Sequence, residues 1–210
     1  MAEKKINSRG SARGDTREAL LSAGLTHIWE QGYNNTGLQE ILTTAGLPKG
    51  SFYHFFKSKE DFGLQIIDYY WDLHTGPEIA LLCDEQQAPR ERLQAFLDLA
   101  LETARESLCS RGCLVANLAQ ELADIHPGFR KRLANLMQEY ENALEVCLKS
   151  GQAAGQFRDD IEARSLATVM INSQYGALVR MKAEKDPRAV RIHRDSMLEF
   201  VRPASARSRN

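Results

Sequence analysis

Apolar residues in this chain return at intervals of three and four along most of its length, and the runs stop where Gly or Pro intervenes. That period places them on one face of a helix, whereas a half-buried strand would need strict alternation. Leu21, Leu25 and Ile28 begin the pattern, and Gly32 stops it. Comparable runs occupy residues 89–108, 112–124, 127–151, 159–182 and 187–201, bounded by Pro89, Gly112, Pro127, Gly151, Gly155 and Pro187. No segment alternates as a strand does and no internal repeat is visible, so the expected fold class is all-α. With 43% apolar residues in a chain of 210, a real core can form, in one or two domains.

The N-terminal third is punctuated more tightly. Residues 1–14 are polar, basic and rich in Gly and Ser, and read as a flexible basic arm. Asp15, with Glu18 three residues later, is a capping-box start for a helix over 16–31. Thr36 stands as the N-cap of a short helix over 37–44, whose Leu38, Ile41 and Leu42 face inward before Ala45 and Gly46 end it. After a turn of three or four residues, Pro48 opens a third short helix from Lys49 to Phe55. Two short helices joined by a Gly-containing turn make a helix-turn-helix. Ser58 and Asp61 then start a longer helix through Phe62, Ile66, Ile67 and Tyr70, expected to break at Thr75-Gly76-Pro77.

The stretch GLPKGSFYHFFKSK divides its residues as a DNA-reading helix must, with polar groups for bases and phosphates and apolar groups for the domain behind. Gly46 permits the turn, and Gly50 lets the backbone approach a duplex. Lys49 and Ser51 lie at the leading end, while Tyr53, His54, Lys57 and Lys59 are placed to reach phosphates. Phe52, Phe55 and Phe56 can pack inward. Aromatic spacing alone fits an ordinary core stripe as well. The charge distribution favours an anionic partner: the net charge is −1, yet residues 1–59 carry eight Lys and Arg against five Asp and Glu.

The order of a helix, TGLQEILTTAGLPKGSFYHFFKSKEDF and a long helix closely resembles the TetR family of transcriptional repressors over residues 15 to about 70. The resemblance implies a homodimer that binds double-stranded operator DNA and a small-molecule effector. It implies a DNA-binding domain over 15–60 with its helix-turn-helix at 37–56, an effector-binding and dimerisation domain over 61–202, and a tail over 203–210. Carried over by position, Thr36 is a phosphate-contacting helix cap, Lys49, Gly50 and Ser51 the base-reading end, and Tyr53, His54 and Lys59 phosphate contacts. The arm, with Lys4, Lys5, Arg9 and Arg13, is either a minor-groove probe or a solvated tail.

In that family the last two helices usually pair with those of a second subunit. Here Leu166, Val169, Met170, Ser173, Ala177 and Met181 share one broad helix side, followed by Met197, Leu198 and Phe200. Packing within one chain is the alternative. A two-fold dimer predicts a roughly palindromic operator.

The segment CSRGCLVANLAQEL, 109–122, carries the sensing signal. Gly112 opens a helix that puts Cys113 in its first turn, where free amides, the helix dipole and Arg111 would lower the thiol pKa. Cys109 could then act as a resolving thiol. Equally, Cys113 fits a small buried hydrophobe. RGCLVANLAQEL together with PKGSFYHFFKSKEDFG resembles the electrophile- and acrylate-responsive branch of the family, which implies a sensing role for Cys113 with Lys182 as its partner. A non-covalent pocket is the competing reading, lined by Tyr70, Trp71, Phe96, Asn117, Gln120, Tyr140 and Tyr175.

Other classes are disfavoured. Four scattered cysteines (Cys83, Cys109, Cys113, Cys147) suit free thiols in a reducing compartment. No stretch approaches the roughly 18 apolar residues of a membrane span and the N-terminus has no signal-peptide pattern, which points to a cytoplasmic location and no membrane partner. No phosphate loop, HExxH, GxSxG or paired CxxC occurs, so neither an enzyme nor a cofactor is expected. Cys109, Cys113 and His126 match no zinc spacing, and no metal is expected. Repressor and activator are not distinguished by sequence.

Overall fold

The structure, a computed structural model, describes the backbone of residues 3–107 and 109–203, and side chains from residue 14 onward within those limits. The described residues form helices and turns, with no strand among them, as the 3.6-residue period requires. In chain order they are α1 (Glu3–Gln31), α2 (Leu38–Thr44), a 3-10 helix (Lys49–His54), α3 (Lys59–Tyr70) and a π-helical turn (Trp71–Thr75). There follow α4 (Gly76–Cys83), α5 (Pro89–Glu106), α6 (Leu114–Leu122), α7 (Pro127–Ala153), α8 (Ala163–Glu184) and α9 (Arg188–Phe200).

Several boundaries differ from expectation, each for a local reason. α1 begins at Glu3, so Asp15 and Glu18 lie within the helix and do not cap it. Glu, Lys, Arg and Ala in that stretch are good helix formers, and extending an existing helix fixes one residue for each bond gained. The side chains of Lys4, Lys5, Arg9 and Arg13 lie outside the described residues, as does the tail beyond Pro203. α2 is capped by Gly37, not Thr36. Thr36 turns inward at 1% exposure and donates its hydroxyl to the Gly32 carbonyl at 2.6 Å, while Glu40 accepts the Gly37 N–H at 3.1 Å. Ser58 caps α3 as expected, accepting from the Asp61 N–H at 3.0 Å.

The expected break at Thr75-Gly76-Pro77 is instead a widened helical turn. Pro77 brings no N–H and would leave a gap in an α-helical ladder. The π turn just before it takes up the mismatch, and Pro77 falls in the first turn of α4. α7 likewise runs through Gly151 to Ala153; the Phe157 ring lies where a side chain at Gly151 would stand, so the glycine there makes room for packing and does not stop the helix.

Phe52, Phe56 and Phe62 form the centre of the N-terminal core, with ring centroids 5.3 Å apart for Phe52–Phe56 and 4.6 Å for Phe56–Phe62. This core continues into Leu114, Leu118 and Leu122 of α6 and Phe129 and Leu133 of α7. The DNA-binding helices therefore do not form a separately packed unit. A second core joins Leu82, Phe96, Tyr140, Leu144, Leu166 and Met170 across α4, α5, α7 and α8.

His193 of α9 is 6% exposed, with Nδ1 3.1 Å from the Ser173 hydroxyl and Nε2 lacking a partner. Burial pushes its pKa from 6.5 down to about 4. Between those values the unfolded chain takes up a proton that the folded chain refuses, so stability falls as pH falls through the window, by at most ~1.4 kcal/mol per unit. In urea unfolding, the wild type is expected to lose more stability than His193→Leu on going from about pH 7 to about pH 5. Equal losses would show that His193 is not the group responsible.

Candidate nucleic-acid interface and effector pocket

α2 and the 3-10 helix meet through a turn in which Gly46 takes φ +66 and the Leu47 N–H reaches the Leu42 carbonyl at 2.9 Å. Burying Phe52 and Phe56 on one side leaves Lys49, Gly50, Tyr53 and His54 exposed on the other, with Ser51 partly so. Tyr53 is 65% exposed, a large apolar ring left in solvent. It borders a groove shared with Leu38, Gln39, Leu42 and Lys49. Nothing lies within 4 Å of the place where a Gly50 side chain would stand, which leaves the backbone approachable. Lys57 is exposed. The sequence reading overlooked Gln39 and Thr43, exposed on the polar face of α2, which its amphipathic pattern could have shown.

Two expected phosphate contacts are otherwise engaged. Thr36 is buried, as described above. The Lys59 ammonium donates to the Tyr33 carbonyl at 2.8 Å and stands 4.5 Å from the centre of the Tyr33 ring, so it ties α3 to the end of α1.

Behind this domain lies a cavity of about 50 Å³. The π turn contributes Trp71 and Thr75, flanked by Tyr70 and Glu78; Gly112 and Cys113 enter from the start of α6, Tyr140 from α7, and Gln174 and Tyr175 from α8. Of the liners expected from the sequence, Tyr70, Trp71, Tyr140 and Tyr175 are present and are joined by Cys113, the expected sensor; Glu78 and Gln174 were not among them. A single acid in the otherwise apolar GPEIALLC was the available signal for Glu78. Phe96 stands behind the lining, its ring 5.7 Å from that of Tyr140.

The polar groups inside are linked. The Tyr140 hydroxyl donates to Glu78 Oε2 at 2.5 Å, and Gln174 Nε2 donates to the Tyr140 hydroxyl at 3.4 Å. Glu78 and Cys113 both belong to partly exposed residues, yet the carboxyl and thiol themselves sit away from water. Burial raises the Glu78 pKa to about 7 against the opposing pull of the Tyr140 hydrogen bond.

Cys113 departs from expectation. α6 starts at Leu114, so Cys113 is the N-cap and not a first-turn residue. The amides of Ala116 and Val115 do draw its pKa down, but burial outweighs them and the charge of Glu78 adds to it, so the pKa is raised. The resting group is a thiol. Cys109, at φ +57, is buried with Leu101, Ala104, Ala177 and Met181 in a separate cluster and does not line the cavity. Lys182, Asn117 and Gln120 line a neighbouring cleft with Glu30 and Glu121, outside the Cys113 cavity. Among the described residues, no three His, Cys, Asp or Glu side chains gather as a metal ligand set.

Several contacts join the cavity wall and its surroundings to the DNA-binding domain. The Trp29 indole N–H of α1 donates to the Gly112 carbonyl at 2.9 Å, one residue before Cys113. The Trp29 ring also meets Tyr70 edge-on at 5.0 Å. Arg111 pairs with Glu30 at 2.7 Å and stacks over Trp29 at 5.3 Å. Glu121 of α6 accepts the Tyr33 and Asn34 N–H groups just past α1, at 3.0 and 2.7 Å.

The residues expected to meet a second subunit turn mostly inward. Leu166, Met170, Ala177 and Met181 are buried within the subunit, Ser173 contacts His193, and Met197, Leu198 and Phe200 pack partly into the second core. Of that set only Val169 is outward, at 47% exposure. It belongs to a different exposed stripe of α8: Ser165, Val169, Asn172, Gly176, Val179 and Ala183.

Residues 20–66 match the family described as bacterial regulatory proteins, tetR family, and residues 89–197 match the tetracyclin repressor-like C-terminal domain. The chain belongs to the TetR family. It is similar to the transcriptional regulator AcuR of Cereibacter sphaeroides, 35% identical over 184 residues that cover 85% of this chain and 84% of AcuR. It is also similar to the HTH-type transcriptional repressor NemR of Escherichia coli, 34% identical over 139 residues, 62% of this chain and 70% of NemR. The crystal structure of reduced NemR matches with a TM-score of 0.79 at 26% identity, covering 90% of this chain and 99% of that one. A regulatory protein TetR from Rhodobacter sphaeroides matches with a TM-score of 0.81 at 33% identity, covering 88% and 97%. Members of the TetR family are transcriptional regulators, not enzymes, and this TetR-family protein is one of them.

The engagement of Lys59 has a measurable consequence in this TetR-family regulator. Lys59→Ala should lower unfolding stability by on the order of 1 kcal/mol, by leaving the Tyr33 carbonyl with only the Thr36 N–H at 3.3 Å and by removing the cation from its ring. Lys57→Ala should leave it within about 0.5 kcal/mol of wild type. Equal effects in urea melts would show that the Tyr33 tie carries nothing.

Proposed function

We propose that this protein is a cytoplasmic, homodimeric repressor that holds a roughly palindromic operator and lets it go when a small molecule or electrophile occupies the cavity at Cys113. The Trp29 to Gly112 hydrogen bond carries the reading, because it ties the cavity wall to the first helix of the DNA-binding domain. Lys49, Gly50, Ser51, Tyr53, His54 and Lys57 form the DNA-facing set, with Gln39 and Thr43 added from α2. Lys49 meets phosphate or a base edge, and Lys49→Ala weakens operator binding. If it meets phosphate, the slope of log affinity against log salt falls by about 0.9.

The second subunit packs on the Ser165 to Ala183 stripe of α8, where small residues let helices approach closely, together with Ile192 of α9, 55% exposed. Val169→Glu is expected to yield a monomer by light scattering and to lose operator binding. A dimer of unchanged stability would place the interface elsewhere.

Release is a shift in population: occupation of the cavity favours a state in which Gly112, Trp29 and α1 are displaced and the two reading helices no longer match successive grooves. The deciding experiment is binding to DNA from upstream of the protein's own gene, with and without N-ethylmaleimide or acrylate, for wild type and Cys113→Ser. Release of the wild type alone establishes covalent sensing at Cys113. Release of both establishes a non-covalent pocket, a reading favoured by the raised thiol pKa and the Glu78, Tyr140 and Gln174 chain of polar groups. Binding unaffected by any occupant of the cavity would remove the effector role.

A further inference from the structure

We infer that the Cys113 cavity admits small uncharged molecules and rejects carboxylates, with Glu78 as the residue that selects between them. The inference rests on the cavity being the effector site. Its walls hold a carboxyl group, three tyrosines, a glutamine amide and a thiol, and no Lys, Arg or His among the described lining residues. An incoming carboxylate would therefore find no cation to offset its lost hydration, and would face a second acid whose position is fixed by Tyr140.

The nearby cations, Arg111 and Lys182, are not among the lining residues. Arg111 is paired with Glu30 at 2.7 Å and is not part of the lining. Lys182 opens onto the neighbouring cleft beside Glu121. Glu141, the other acid whose charge reaches Tyr175, is paired with Arg164 at 2.9 Å. Size restricts the occupant further. About 50 Å³ is room for roughly three to five water-sized groups, which suits an amide, enone or aldehyde of a few heavy atoms.

Acrylamide and acrylate are matched probes, alike in shape and different in charge. Each adds the Cys113 S–H across its C=C bond: sulfur bonds to the terminal carbon, the π bond is lost, and the thiol proton ends on the carbon beside the carbonyl. No oxidant or reductant takes part. The rate is read as mass gain on the Cys113 peptide, in a Cys83→Ser background because Cys83 is exposed. Measurements are made about one pH unit above the Glu78 value of about 7, and each rate is divided by that of a free small thiol with the same probe.

The wild type should show acrylate suppressed relative to acrylamide by on the order of tenfold to a hundredfold beyond the free-thiol ratio. Glu78→Gln, which keeps the shape and an acceptor for Tyr140, should remove most of that suppression. Tyr140→Phe, which removes the hydrogen bond that draws the Glu78 pKa down, should weaken the suppression at the same pH, and serves as the second variant where Glu78→Gln does not fold. Equal normalised rates for the two probes in wild type would overturn the selection while leaving the cavity as effector site. Failure of both probes to reach Cys113, with operator release nonetheless produced by some ligand, would overturn the effector-site reading as well.

Discussion

The hydrogen bond between the Trp29 indole and the Gly112 carbonyl is the constraint around which the two halves of this regulator are arranged. Trp29 is 6% exposed, so its N–H has no solvent to fall back on, and an unpaired donor there would cost on the order of 1–3 kcal/mol. Its partner is a carbonyl on a glycine at φ +70, a conformation that side-chain-bearing residues rarely adopt. That backbone directs Arg111 outward to Glu30 while Cys113 is held at the cavity. Loop shape is thereby specified from α1 and from the cavity at once. Closely packed interiors give little room for local relaxation, so on the proposed reading a change in volume at Cys113 is passed to the loop and through the Trp29 hydrogen bond to α1.

The continuity of the N-terminal core serves the same end. Tyr33 and Phe129 close on Gly63 so tightly that a methyl group there would stand 2.6 Å from one ring and 2.7 Å from the other. α3 therefore has contacts with α1 and α7 that leave it little freedom to slide independently. Lys59 fastens the same corner from α3, and Glu121 fastens it from α6 by taking two backbone N–H groups that follow α1. The joint between the DNA-binding helices and the rest of the subunit is filled with rings and charged hydrogen bonds, so on the proposed reading the reading head moves by shifts of whole helices.

Much of this was legible in the sequence because it follows from period and punctuation. The all-α class, the helix-turn-helix and the Ser58 cap each depend on a few neighbouring residues. What failed depended on three-dimensional competition. Periodicity marks an apolar face but cannot say what covers it, and Leu166, Met170 and Met181, expected at a second subunit with packing within one chain as the alternative, fill the subunit's own core. Thr36 and Lys59 have the right chemistry for DNA, yet Gly32 and Tyr33 supply nearer partners. The π turn was invisible because Pro77 reads as a stop unless the preceding turn is known to widen. Glu78 was missed since an acid beside a proline at a helix start is ordinary. Only the fold brings Tyr140 against it.

Cys113 shows how the same competition decides chemistry. A sequence can place a thiol at a helix start, where amides favour its anion, but it cannot weigh that against burial, and here burial wins. On the proposed reading the outcome has a use. Each unit by which the pKa rises above ambient pH cuts the thiolate fraction about tenfold, which protects the group from reagents that meet it by chance. A molecule held in the cavity gains from proximity instead, and well-oriented neighbours reach effective molarities of roughly 10⁵ M or more. Proximity outweighs the raised pKa, so on this reading the response is set by what the cavity will hold and not by how reactive the thiol is in isolation.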